Sequence, residues 1–263
     1  MTLNHGRVEV TVEAFHARVT LGVQDGVAEV CLTRPQQHNG LDWSMIEGLL
    51  SAQRRLVELT REGGGDIGAV VLSGEGESFC AGLDMKSIMS EPQRMPSLLE
   101  ADEAGVNPVQ RLALGWREAG VPVIAALQGH VYGGGLQIAL GADIRVVSPD
   151  ARLALLEIAW GLVPDMGISV TASHMRDDVL LELAWTGREV GGQEAQTLGL
   201  ATRLAEDPRA TALEMASTMA FRSPKAVAAA RELFSRAPTL SRRERLALEA
   251  RLQRGLIEDL GPL

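Results

Sequence analysis

The sequence predicts a mixed α/β fold, a succession of sheet-and-helix units followed by a helical C-terminal region. Three observations predict it. Short apolar runs at 67–72 and 121–127 each end in glycines and lead toward helical patterns, so strand, glycine turn and helix occur twice. Beyond Pro164 the apolar residues recur at helical rather than alternating spacing. Finally, 263 residues with 46% hydrophobic content suit one main domain with an appendage.

The elements follow in order. Val8, Val10 and Val12 alternate with Arg7, Glu9, Thr11 and Glu13, the period of a half-buried strand or an added arm. Val19, Leu21 and Val23 resume the alternation, and Asp25-Gly26 turns it into a hairpin with 27–33. Asp42 is placed to cap a helix carrying Met45, Ile46, Leu49, Leu50, Leu56 and Val57, which Gly63-Gly64-Gly65 ends. The run 67–72 reads as a buried strand closed by Gly74 and Gly76. Asn107-Pro108 opens a helix through Leu112 and Trp116. A strand at 121–127, a short helix near 136–140 and a strand near 143–147 follow. Helices are expected at 168–175, 179–185, 193–198, 209–220, 224–234 and 242–260. This places a domain boundary near residue 200, with 1–200 as the core and 201–263 as a helical region for packing and oligomerisation. Leu248, Leu252, Leu256 and Leu260 form a continuous stripe on the last helix. Its arginines alternate with Glu244 and Glu249, which favours a packing or subunit-contact helix over an anion site.

Composition narrows the function. Aromatic residues make up 3% of the chain, too few for stacking platforms that hold single-stranded nucleic acid. A formal charge of −9 argues against nucleic acid as a bulk partner. Cys31 and Cys80 lie far apart among apolar neighbours and read as buried thiols of a reducing compartment. The charged start of the chain does not resemble a secretory segment, and no apolar run is long enough to span a membrane. A cytoplasmic protein is expected. The histidines show no metal-ligand spacing, and no G-x-S-x-G is present.

Three stretches remain as candidates for chemistry. In Cys80-Ala81-Gly82-Leu83-Asp84, small residues allow a ligand to approach the backbone, and a helix start leaves the Leu83 N–H unpaired. In Tyr132-Gly133-Gly134-Gly135-Leu136-Gln137, glycines open a helix and present a row of N–H donors, although their spacing is not that of a dinucleotide site. Close helix-on-sheet packing would also explain them. In the third, Glu157 sits among Ala154, Leu155, Leu156 and Ile158, where poor solvation would raise its pKa and suit a general base. Asp165 follows in Pro164-Asp165-Met166-Gly167, which by itself reads as a turn or a helix cap.

These three stretches, in this order, resemble the crotonase (enoyl-CoA hydratase/isomerase) superfamily from about Val19 to Leu260. The segment from Arg34-Pro35 to Asn39-Gly40-Leu41 and the run from Leu183 to Arg188 fall where the family has similar runs. The resemblance implies a spiral of sheet-and-helix units, acyl-CoA thioester substrates, no metal or redox cofactor, and a homotrimer or dimer of trimers. It implies an oxyanion hole from the backbone N–H groups of Leu83 and Gly134, with Gly133 beside them. It also implies coenzyme A contacts near Arg34, Ala81, Leu83 and Asp84, with Gln36 and Gln37 standing where relatives often carry charge.

The acid/base positions then set the expected reaction. Typical hydratases place one glutamate at the Gln137 position and another at the Glu157 position. Gln137 has no accessible proton-transfer equilibrium near neutral pH, whereas Glu157 is retained. Asp165 resembles the second acid of the dienoyl-CoA isomerase branch. The expectation is therefore a double-bond isomerase with Glu157 as base, Asp165 as second proton-transfer group and Gln137 as a substrate contact. A hydratase is the alternative, and a catalytically decayed thioester-binding protein a further one.

Overall fold

The computed structural model describes residues 11–62 and 67–259. The alternation at Val8 and Val10, the glycines at 63–65 and the end of the leucine stripe at Leu260 lie outside the described residues. The chain divides into two compact units, Met1–Ala220 and Phe221–Leu263.

The first unit begins with an antiparallel meander of β1 (Thr11–Phe15), β2 (Val19–Gln24) and β3 (Val27–Leu32). Its Asp25-Gly26 turn has positive φ at both residues, as a tight Asp-Gly hairpin requires. The Asp42 carboxylate accepts the Met45 N–H at 2.7 Å and starts α1 (Trp43–Glu62). Next come β4 (Ala69–Gly74), α2 (Met85–Ser90), α3 (Met95–Leu99) and α4 (Pro108–Leu114). A reciprocal capping box between Asn107 and Gln110 opens α4. The glycine-rich region supplies β5 (Val123–Leu127), β6 (His130–Tyr132), α5 (Gly134–Leu140), β7 (Ile144–Val147) and β8 (Arg152–Ala154). The unit ends with α6 (Ile168–Thr171), α7 (Asp177–Thr186), β9 (Val190–Gly191), α8 (Gly192–Leu198), β10 (Arg203–Leu204) and α9 (Pro208–Ala220).

A seven-stranded sheet runs in the order β1-β2-β3-β4-β5-β7-β10, and a three-stranded sheet runs β6-β8-β9. From β3 onward the large sheet is parallel. Its central strands β4 and β5 are buried throughout because both faces are covered. Val70 and Leu72 of β4 join the cluster containing Met45, Leu49 and Leu56 of α1, while Ala69 and Val71 join Ala212 and Ala216 of α9. This two-sided burial moves the boundary from the expected residue 200 to Ala220. Residues in between are not part of a separate helical region: β10 extends the sheet beside β7, and α9 covers its outer face.

Two other expectations differ. The helix at 168–175 is a single turn, since Ala172 already leaves helical geometry at φ −105°. The strands β6, β8 and β9 have two or three residues each, too few to display a period, and only β6 lies in a stretch singled out from sequence. Cys80 is buried as expected, but Cys31 is only half-buried.

In the second unit, α10 (Pro224–Arg236) and α11 (Arg242–Asp259) pack on each other. Glu232 of α10 pairs with Arg236 and with Arg251 of α11, and Lys225 meets Asp259 at 2.7 Å. Leu248 is buried while Leu252 and Leu256 are half-buried, so the expected stripe is the inner face of α11. Among the described residues, no helix is long and apolar enough to cross a membrane.

Candidate active site

The site forms where the parallel strands β4 and β5 end, the usual location for ligands on such sheets. After β4 the chain runs beside β6: the Cys80 N–H donates to His130 O at 3.1 Å and the Tyr132 N–H to Cys80 O at 3.0 Å. Gly82 lies at φ 85°, and a Cβ there would stand 2.7 Å from Tyr132 O and 3.6 Å from the Gly134 nitrogen. Only glycine therefore lets the two loops close together. The approach brings the peptide after Gly82 alongside the start of α5. Neither the Leu83 N–H nor the Gly134 N–H has a protein acceptor among the described residues. Both are consequently available to a ligand oxygen.

Gly133 turns β6 into α5 at φ 48°, ψ −118°, and a Cβ there would lie 3.3 Å from Oε1 of Glu157. The carboxylate thus rests against the glycine turn. Glu157 begins a 3-10 turn, Glu157–Trp160, directly after the stretch that follows β8. Its Oε1 accepts from Gln137 Nε2 at 2.7 Å, and Gln137 Oε1 accepts the Met166 N–H at 2.8 Å. Gln137 is 1% exposed. A backbone N–H can only donate, so the amide oxygen must face Met166 and the amide NH2 must face Glu157. Gln137, expected as a substrate contact, also bridges two protein groups.

Glu157 Oε2 is buried and has no hydrogen-bond partner among the described residues. Burial raises the Glu157 carboxyl above the usual carboxylate range; its own N–H and the Gln137 amide oppose this, and the Asp165 charge adds to it. Asp165 as a residue is exposed, yet partial shielding of its carboxyl raises it as well, against its own N–H. The two acids therefore stand near enough to feel each other, one shielded and one open to water. Such an arrangement can accept a proton at Glu157 and stabilise negative charge on an oxygen near Leu83 and Gly134.

The coenzyme A residues expected by resemblance divide into two kinds. Ala81 is half-buried, its N–H held by His38 O at 2.9 Å. Arg34 is a strut instead of an open cation. Its three guanidinium nitrogens meet Gly40 O at 3.0 Å, Asp84 at 2.9 Å and Asp42 at 3.3 Å. Asp84 caps α2 through the Ser87 N–H. Burial works to raise Asp84, but that N–H and Arg34 prevail and hold it below the usual carboxylate range.

Residues not singled out as site groups also shape the site. Asn39 is fully buried at φ 53°; its amide donates to Glu75 O and Ser78 O and accepts the Arg34 N–H at 2.7 Å. It joins the 34–40 loop to the segment that leads into Leu83. His38 meets His130 edge-on at 5.1 Å, and His130 stacks on Tyr132 at 4.9 Å. His130 and Tyr132 share β6, but His38 comes from a distant segment, so no local spacing announced its place beside them.

Comparison with known proteins extends this picture. The model of the enoyl-CoA hydratase/isomerase family matches residues 22–260. The chain is 28% identical over 243 residues to a hydroxycinnamoyl-CoA hydratase-lyase of Pseudomonas fluorescens, spanning 88% of this chain and 83% of the relative. It is 32% identical over 190 residues to an (E)-benzylidenesuccinyl-CoA hydratase of Thauera aromatica, spanning 72% and 70%. The crystal structure of an enoyl-CoA hydratase from Mycobacterium smegmatis aligns with a TM-score of 0.76 at 27% identity, over 95% of this chain and 91% of that one.

Proposed function

The chain belongs to the enoyl-CoA hydratase/isomerase (crotonase) family of acyl-CoA enzymes, and on that footing we propose that it moves double bonds in enoyl- or dienoyl-CoA thioesters with Glu157 as the base. The observation that carries the reading is the buried, unpartnered Oε2 of Glu157 beside a glutamine tied at both ends. Oε2 takes a proton from C2 of a 3-enoyl-CoA. The electrons pass to the thioester oxygen, which the Leu83 and Gly134 N–H groups hold, each such donor being worth about 2.7–4 kcal/mol. Collapse of the enolate with proton return at C4 gives the 2-enoyl product. In a conjugated dienoyl substrate, Asp165 serves the remote carbon, and its exposure lets it exchange protons with water.

Hydration is the second reading, favoured by the names of the relatives, which are hydratases and a hydratase-lyase. Loss of catalysis with thioester binding kept is a third, disfavoured by the retained acid and both unpaired N–H groups. All three use no metal or redox cofactor, coenzyme A being part of the substrate. The reading further assigns a cytoplasmic homotrimer or dimer of trimers. Supporting an assembly, Ile158, Leu162, Val163, Leu181 and Trp185 are exposed around an apolar cavity of about 440 Å³ in the first unit. A panel of 2-enoyl-, 3-enoyl- and 3,5-dienoyl-CoA substrates, followed by ultraviolet absorbance and product identification, tests the proposal. Rapid interconversion of 3-enoyl and 2-enoyl isomers with slow hydration is expected. Fast hydration without isomerisation refutes it in favour of the second reading, and binding without turnover in favour of the third.

A further inference from the structure

Gly133, the N-cap of α5, and Gln137 lie one helical turn apart, and the Gln137 N–H closes that turn on Gly133 O at 3.0 Å. Both face Glu157. A Cβ at Gly133 would be 3.3 Å from Oε1 but 3.9 Å from Oε2, so Oε1 is the oxygen turned toward α5. That same oxygen takes the Gln137 hydrogen bond, while Oε2 has none among the described residues. We propose that Gln137 is a positioning residue which pins Oε1 of Glu157 and leaves Oε2 as the one oxygen that exchanges protons with substrate. The inference rests on Glu157 being the base.

The Met166 N–H makes the device one-way. Because it fixes the amide oxygen, Gln137 cannot flip to offer Glu157 an acceptor, and the 1% exposure leaves no room for another arrangement. Among the described residues Glu157 receives no cation: Asp165 is the charged group acting on it, and α5 contributes only the neutral amide. The amide therefore opposes both burial and Asp165, favouring the ionised base.

Gln137→Met removes the donor at similar length. A hydrogen bond to a charged group corresponds to about one to two pH units, so the acidic limb of the kcat/KM profile should rise by about that much. With the carboxylate no longer pinned, kcat should fall roughly 10–100-fold, with KM changed by less than about threefold. Gln137→Glu keeps an acceptor for the Met166 N–H and so guards against simple misfolding. Its two carboxyls share one proton, and where they do, the protonated partner can again donate to Oε1. It should recover most of the kcat lost in Gln137→Met and add a basic limb absent from the native profile. Both are assayed on the fastest enoyl-CoA of the panel, with melting curves and Glu157→Gln in parallel. An active Glu157→Gln protein would sink the base assignment itself. An inactive one, alongside native pH profiles in folded Gln137→Met or Gln137→Glu, overturns the positioning role alone.

Discussion

Replacing Gly133 by alanine tests the tightest joint of the site. The residue sits at φ 48°, ψ −118°, a conformation that a side chain tolerates only with strain of about 1–3 kcal/mol. For a chain of this size each kcal/mol lowers the melting temperature by about 2–4 °C, so a fall of roughly 2–12 °C is expected. The new methyl would also meet Glu157 Oε1 at 3.3 Å and its carboxyl carbon at 3.6 Å. That is tight, and the carboxylate must yield by a few tenths of an ångström.

The two consequences separate in an assay. Relief through the carboxylate loosens the Gln137 hydrogen bond and misaligns Oε2, and relief through the backbone turns the Gly134 N–H away. Displacements approaching 1 Å near the chemistry cost about 10²-fold in rate. Gly133→Ala should therefore lose about two orders of magnitude in kcat at a temperature well below its own melting point, with KM changed little. Steady-state kinetics with a 3-enoyl-CoA and a thermal melt measure both. A melting point within about 1 °C of native together with kcat within about twofold would refute the argument, because neither strain nor contact would then be present.

Three further outcomes follow from the same geometry. Glu157→Gln should lose about 10²–10⁴-fold in rate while melting higher than the native protein. The carboxyl of Glu157 is raised on folding, so its stabilising contribution is complete below the unfolded value and is lost as pH rises through the folded one. The melting gap between variant and native should widen from acid to neutral pH, and a gap that narrows would show that burial is not the cause. Asn39→Ala strips partners from two carbonyls and the Arg34 N–H; the Ser78 bond is buried and the other two part-buried, so at about 1–3 kcal/mol for a buried group left unpaired, denaturant unfolding should report a loss of at least about that size, and an unchanged midpoint would refute this. Trp185→Glu, on the rim of the apolar cavity and 69% exposed, should shift light-scattering mass from oligomer to monomer; a native protein that is already monomeric at micromolar concentration ends that reading.

Much of the scaffold was legible because it rests on local chemistry. Asp42 caps α1, Asn107 and Gln110 box the start of α4, and Asp25-Gly26 turns the hairpin, each from residues adjacent in sequence. The two N–H donors were located by glycines whose geometry the fold uses, although Gly82 itself needs Tyr132 O from another strand to show why. What escaped was long-range. Arg34 was expected near coenzyme A, and only the fold shows that Asp84 and Asp42, one of them fifty residues away, hold its guanidinium. Gln137 looked like a substrate contact, and only the fold brings the Met166 N–H to one end of its amide and Glu157 to the other. The boundary failed for a related reason: α9 reads as one more helix until the outer face of the sheet is seen to require it.

The energetics of Glu157 also bear on whether the chemistry has decayed. A carboxylate whose second oxygen is buried without a partner is destabilising, since an unpaired buried polar group costs about 1–3 kcal/mol and more when charged. The fold contains a less costly solution at the same place. A glutamine at 157 would keep the acceptor for Gln137 Nε2 and remove the charge that burial and Asp165 both penalise. A protein that merely held a thioester would need the Leu83 and Gly134 N–H groups but no acid there, because a neutral amide lines a pocket equally well. A buried carboxylate pinned at one oxygen and unpartnered at the other, with its pKa raised by burial, does something that the amide cannot, which is to take up a proton. The cost thus falls on the one carboxylate oxygen left without a partner, and that weighs against simple binding as the end of the site's work.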